Sequence, residues 1–329
     1  MVELIFELVG PYYELASAEI KAAISGLGFS FEEIDHATGL IHIDTGCEPL
    51  LLSKRLGLTH RILDHKITST PDKIVNSKTG LELPPGTAAV DTRRVWGKKA
   101  DSQPIKEGLG REISRTNKIE LDHPDHQILV LISDRCYVGE VIHEIDKGGF
   151  RKREVKHRPF FSPVSLEPRY ARCLINLGRP GKRSHLHDPF CGTGGILLEA
   201  GELGLEVTGG DIDEEMVEGC RENMESYGVQ VNIQVGDVSK TIPKDVDLVV
   251  TDPPYGRASS TSGERKGDIY HRLFKTCREN LKGDGYLSVI LPTVEDYEIG
   301  KRYLDLVEVH ETKVHASLRR YYCVFRPKR

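Results

Sequence analysis

The sequence has no apolar run approaching the roughly 18 residues that a helix needs to cross a bilayer, so a helical membrane protein is not expected. It has no Cys-x-x-Cys pair, and its seven cysteines are an odd number. That argues against a disulfide framework and against a cysteine zinc site, and favours a reducing, cytoplasmic setting. No metal is expected. His123-Pro124-Asp125-His126 sets two histidines across a proline turn without a cysteine, and reads as a polar loop. Residues 1–8 carry acids between apolar positions and read as a strand, not as a targeting peptide. Net charge is small, −5 over 329 residues, which alone would discourage a polyanionic partner.

The chain is too long for one ordinary domain, and two or three are expected. With 38% hydrophobic residues it can fill real cores. Residues 1–56 alternate short apolar runs at 5–9 and 40–43 with a helical stretch over 15–24, closed by Gly26 or Gly28. This suggests a small ferredoxin-like α/β module without chemistry of its own. Residues 57–147 continue with an edge at Lys66-Ile67, a strand at 87–90, a helix over 104–114 and a hairpin from 126–133 into 135–140. Residues 148–166 are rich in proline and basic side chains and read as a semi-rigid linker. From 167 to 329 strands and helices alternate: strands at 184–188, 205–210, 231–235, 246–250 and 286–291, helices at 196–202, 214–227 and 269–281, and two last strands at 304–309 and 321–325. Repeated βα units imply an α/β fold with a doubly wound, Rossmann-like, mostly parallel sheet.

The chemistry centres on Thr251-Asp252-Pro253-Pro254-Tyr255-Gly256, which follows the fourth of those strands. Two prolines fix φ twice and offer no N–H, so the loop can continue neither a helix nor a ladder. Asp252 and Tyr255 are thereby held on a stiff loop at the carboxyl end of a strand, where open α/β sheets bind ligands. An acidic acceptor, carbonyls without competing donors and an aromatic face suit a flat ring bearing an exocyclic amine. Asp-Pro-Pro-Tyr resembles the signature of S-adenosylmethionine-dependent amino-methyltransferases.

A cofactor site is expected upstream, at Asp188-Pro189-Phe190-Cys191-Gly192-Thr193-Gly194-Gly195. No Gly-Lys-Ser/Thr follows, so this is not a nucleotide phosphate loop, and the third glycine of the dinucleotide fingerprint is replaced by Leu197. A nicotinamide cofactor is therefore disfavoured. Asp188 sits where the sulfonium and amino group of S-adenosylmethionine need a carboxylate, with Phe190, Gly192 and Gly194 in the loop. Asp211 is placed for the ribose hydroxyls and Asp237 for the adenine amine, with Ile212 and Val238 beside the ring. Three acids at three successive strand ends resemble the class I methyltransferase family.

The charge is unevenly spread. Residues 93–118 hold eight Lys/Arg against three acids and residues 147–172 eight against two, local charges of +5 and +6 in a chain of −5. Such patches attract phosphates whatever the overall sum. Arg93, Arg94, Lys98, Lys99, Arg111, Arg151, Lys152 and Arg153 are the candidate RNA contacts. The basic strand, the helix with Asp101-Ser102 at its start and the late hairpin make 57–147 similar to the THUMP domain, which implies a grip on tRNA. Together with Asp-Pro-Pro-Tyr, the whole chain resembles the archaeal tRNA guanosine-10 N2-methyltransferase family. That resemblance implies methylation of guanosine 10 in tRNA, once or twice, with Asp252, Pro253, Pro254 and Tyr255 at the reacting amine. Some relatives act with a small zinc-binding activator subunit, so such a partner is an expectation. The alternatives are another guanosine in tRNA or rRNA, DNA adenine, and a non-catalytic RNA-binding protein on the same scaffold.

Overall fold

The computed structural model describes residues 1–95, 101–162, 165–255, 265–315 and 318–328. They form two compact units. The first comprises Met1–Ser17, Phe29–Lys54 and Leu58–Ile145, the second Ala18–Gly28, Arg55–Gly57 and Asp146–Arg329.

Strands and helices of the first unit are β1 (Val2–Leu8), the start of α1 (Tyr13–Gly26), β2 (Phe31–Ala37), β3 (Leu40–Thr45), α2 (Pro49–Ser53), β4 (Thr59–Ser69) and α3 (Pro71–Val75). They continue with β5 (Thr87–Arg94), α4 (Gln103–Ile113), β6 (Lys118–Ile119), β7 (His126–Ile132) and β8 (Cys136–Glu144). One eight-stranded sheet results, in the order β2-β3-β1-β4-β8-β7-β5-β6. Its neighbours are antiparallel except around β5, which runs parallel to β7 and β6. Ile105, Leu109 and Ile113 recur every four residues along α4 and share a core with Ile74, Val90, Ile128 and Val130. Gly108 lets α4 approach α3, since a Cβ there would lie 2.3 Å from the Ile74 carbonyl oxygen.

The sequence suggests only an edge at Lys66-Ile67. Instead β4 spans eleven residues in mid-sheet, paired with both β1 and β8. Its polar residues conceal it, because they are satisfied across strands. Arg61 pairs with Glu7 at 2.8 Å and with Glu144, and Lys66 bridges Asp64 and Glu140 at 2.7 and 3.0 Å. Ion pairs here take the place of apolar alternation. Because β4 pairs with β1, the sheet continues through residue 56, where the sequence suggests a boundary.

After the rest of α1 and residues 55–57, the second unit continues with α5 (Lys147–Lys152) and a 3₁₀ turn (Val155–His157) inside the expected linker, followed by α6 (Pro168–Leu177). The Asp146 carboxylate caps α5 by accepting the Gly148 and Gly149 N–H groups. Then come β9 (His185–Asp188), α7 (Gly195–Glu202), β10 (Glu206–Asp211), α8 (Glu214–Ser226), β11 (Asn232–Val235) and α9 (Val238–Thr241). The unit closes with β12 (Val246–Thr251), α10 (Lys266–Asn280), β13 (Leu281–Leu291), α11 (Val294–Lys301), β14 (Leu304–His315) and β15 (Leu318–Pro327).

Its seven strands lie in the order β11-β10-β9-β12-β13-β15-β14, the first five parallel, with β15 antiparallel to both of its neighbours. The chain leaves β9 toward β10 on one side, while β12 lies on the other. That reversal makes the ends of β9 and β12 the switch point of the sheet, where a ligand crevice is expected. The segment before α6 is held to α8: Phe160 N–H donates to Asn223 Oδ1 at 2.9 Å, and Asn223 Nδ2 donates back to the Phe160 carbonyl at 3.0 Å.

Candidate active site

Four adjacent parallel strands end side by side, and each delivers an acid. Asp188 and Asp211 are the last residues of β9 and β10, Asp252 follows β12 directly, and Asp237 stands just past β11. With Phe190, Gly192, Ile212, Val238, Pro253, Pro254 and Tyr255 they line one cavity of about 390 Å³.

Asp188 is almost fully buried. Its Oδ1 accepts from Thr251 Oγ1 at 2.7 Å and from the Phe190 N–H at 3.1 Å. Burial, reinforced by the nearby Asp211 and Asp252 carboxylates, outweighs these bonds and pushes its pKa up to about 7. Asp211 accepts the Gly192 N–H at 2.9 Å and the Asp213 N–H at 3.0 Å, and burial likewise raises it. The Gly192 backbone has φ 48°, a left-handed turn that a glycine adopts freely. Asp237 caps α9 through Ser239 and pairs with Arg272 at 3.1 Å. Burial opposes its ionisation, but the Ser239 bonds and the Arg272 cation prevail and hold it below the usual range.

Asp252 opens the stiff loop. Burial pushes its pKa up to about 6, against the pull of Arg320 and of the Tyr255 hydroxyl, which donates to its Oδ1. Tyr270 Oη donates to the Pro254 carbonyl at 3.2 Å and steadies the loop from α10. Arg320, on β15, lines the cavity too. Burial works against its charge, yet Tyr255 and Asp252 keep it firmly cationic.

The donor set fits a ligand that brings a positive charge and several hydroxyl and amine hydrogens. Burial raises three of the acids, Asp188, Asp211 and Asp252, and a cation against them would favour their ionised form. Residues 155–322 match the family model described as RMKL-like, methyltransferase domain. A tRNA (guanine(10)-N2)-dimethyltransferase from Methanothermobacter thermautotrophicus is 33% identical over 330 residues, covering 97% of this chain and 98% of its own. The chain belongs to the tRNA (guanine(10)-N2)-dimethyltransferase family. Among solved structures, TrmN from Thermus thermophilus is similar over 99% of this chain and 100% of its own, at 20% identity and a TM-score of 0.57. SMU.472 complexed with SAH is similar over 100% and 98%, at 15% identity and a TM-score of 0.55. At those identities the likeness shows the fold alone.

In this methyltransferase all the expected catalytic and cofactor-binding residues but one line the cavity. Gly194 does not line it. With φ 83° it caps α7, and a Cβ there would lie 2.5 Å from Cys220 Sγ, so it serves close packing of α7 on α8. Arg153 departs from its expected RNA contact. It is buried, with Nε 2.6 Å from Glu199 Oε1 and Nη1 3.1 Å from Glu202 Oε2, because α7 presents an acid that burial leaves in need of a cation. Arg94, Arg111, Arg151 and Lys152 are exposed, and Arg93 is half-exposed beside Glu7 at 3.1 Å. Lys98 and Lys99 lie outside the described residues. Sequence reasoning missed Arg320, Arg272, Ser165 and Met216, which also line the cavity. For Arg320 no local signal exists, since strand pairing alone brings it to the loop.

Proposed function

We propose that this methyltransferase transfers a methyl group from S-adenosylmethionine to the N2 amine of guanosine 10 in tRNA, once or twice. One observation carries the reading: four acids at the ends of four adjacent parallel strands line a single cavity together with the Asp-Pro-Pro-Tyr loop. A relative similar from end to end bears the name of this activity.

S-adenosylmethionine, when bound, supplies an electrophilic methyl on a positively charged sulfur. Asp188 would face that positive charge, Asp211 would accept from the ribose hydroxyls, and Asp237 would accept from the adenine amine, with Ile212 and Val238 beside the ring. Guanine N2 is a poor nucleophile because its lone pair is delocalised into the ring. Asp252 and the Pro253 carbonyl accept its two N–H bonds and turn the lone pair out of the ring plane. Since Tyr255 donates to Asp252 Oδ1, the amine takes Oδ2. The bound cofactor would supply the methyl for the new N–C bond as its S–C bond is given up, and Asp252 or solvent would take the released proton. Positioning and fixed charge supply most of the acceleration.

The Tyr255 ring supports the base, worth roughly 1–3 kcal/mol. Drawing a base out of folded RNA costs a few kcal/mol, offset by phosphate contacts from Arg93, Arg94, Arg111, Arg151 and Lys152. In this reading residues 57–147 act as a THUMP-like RNA-binding region on the sheet they share with residues 1–56. The partner in this reading is tRNA, and a small zinc-binding activator is the second partner to be tested. Seven buried cysteines, none of them in a disulfide, fit a cytoplasmic setting.

The test is incubation of the purified chain with methyl-labelled cofactor and unmodified tRNA, followed by mass spectrometry of the product. Label on N2 of guanosine 10 is expected, and sustained turnover without added protein removes the activator from the reading. Label on another guanosine moves the target. Binding of cofactor and tRNA with no transfer leaves a non-catalytic RNA-binding protein.

A further inference from the structure

A second polar cluster lies in the first unit and shares no residue with the methyl-transfer cavity. Glu3 of β1 stands between His42 of β3 and His65 of β4, three residues on adjacent strands. Glu3 Oε2 lies 3.2 Å from His42 Nε2 and 2.8 Å from His65 Nδ1, and the imidazole centroids are 4.2 Å apart. The three candidate ligand atoms all fall within 4.8 Å of one another.

Two buried polar atoms here have no hydrogen-bond partner among the described residues. His42 is 3% exposed, and its Nε2, though near Glu3, is outside hydrogen-bond geometry. Asp44 pairs in register with Glu3 across β1 and β3, so it projects from the same face, and its Oδ1 is also buried without a partner. A simple hydrogen-bonded cluster explains His65 and Glu3. It leaves His42 Nε2 unsatisfied and two acids side by side, each feature costing free energy when buried.

We propose that Glu3, His42 Nε2 and His65 Nδ1 bind a divalent first-row transition metal, of which zinc is the natural probe. Two imidazoles and a carboxylate suit zinc and its neighbours, whereas magnesium and calcium call for about six or more oxygens. Bonds of about 2.0–2.1 Å at tetrahedral angles set ligand atoms about 3.3 Å apart, against 3.2 and 2.8 Å from Glu3 Oε2 to the two nitrogens. The fourth position opens to solvent, because Glu3 is half-exposed. His65 has a partner for its other nitrogen: Nε2 lies 3.0 Å from Thr68 Oγ1, which fixes the ring with Nδ1 toward the metal. The ion offsets the charge of Asp44 and clamps β3, β1 and β4 together at the end of the sheet.

The three residues are 39 and 23 positions apart in sequence, which is why motif spacing gives no sign of the site. The test uses untagged, full-length protein stripped with a chelator and titrated with zinc chloride by calorimetry. One equivalent is expected to bind, at least about tenfold more weakly in Glu3→Gln and in His65→Ala. Zinc should raise the melting temperature of the wild type and leave both variants unmoved. His42→Gln alters a buried position, so Glu3→Gln, at a half-exposed one, is the deciding variant. No saturable binding by the wild type, or undiminished binding by a folded Glu3→Gln/His65→Ala double variant, overturns the site.

Discussion

In the proposed reaction Asp252 and Asp188 act as carboxylates, and Arg320 and Thr251 favour that form against burial. Both acids sit above the ordinary carboxyl range because of burial, Asp252 at about 6 and Asp188 at about 7. Each works ionised, so kcat/KM is expected to fall as pH drops through 7 to 6, and a flat profile across that window would count against their roles. Removing the Arg320 cation raises Asp252 further. Arg320→Met should therefore move the lower limb of the profile to higher pH, with partial return in Arg320→Lys. Thr251→Val keeps the shape of a fully buried side chain but deletes the hydroxyl that donates to Asp188. Cofactor affinity, measured by calorimetry, should weaken about 10- to 100-fold, as expected for a bond to a charged acceptor. Both acids were legible in the sequence because each stands where a strand gives way to a proline-bearing loop. Arg320 was not, because its position depends on β15 pairing with β13 some thirty residues earlier.

At the scale of elements, the stretch before α6 has a structural and a surface side. Arg153 binds Glu199 of α7, which also takes Arg172 at 2.7 Å, whereas Arg151 and Lys152, the two residues before it, are exposed. Arg153→Ala should thus lower stability, toward the low end of the roughly 3–5 kcal/mol for breaking a buried pair, since Arg172 remains with Glu199. Chemical denaturation measures it. Arg151→Ala and Lys152→Ala should leave stability unchanged and each reduce the salt dependence of tRNA binding by about one unit of slope. Equal tRNA affinity in those two variants would remove them from the RNA surface. Basic composition alone could not separate the three positions; only the helix turn and the facing acid do. The same limit hid β4, whose charged residues pair across strands, and α11, whose polar sequence starts at the Thr293 cap.

On the scale of the molecule, the second unit follows its sequence closely. Five parallel strands, the loop glycines and the strand-end acids sit where the alternation of strand, turn and helix signals places them, most clearly at β12, which is buried on both faces and reads as an apolar run. The first unit was less legible. Its sheet joins β1 to β4 and β4 to β8 by contacts distant in sequence, and such pairing leaves little trace in local pattern. The basic windows likewise show only that phosphates are attracted, not which side chains reach them. Family membership and sheet order point to one reaction, and its central claim is that Asp252 holds the amine that accepts the methyl. Single-turnover methyl transfer by Asp252→Ala, with cofactor affinity measured in parallel, tests this most directly. The expected result is cofactor binding within a few-fold of wild type and a transfer rate lower by about 10²-fold or more; transfer at close to the wild-type rate would contradict it.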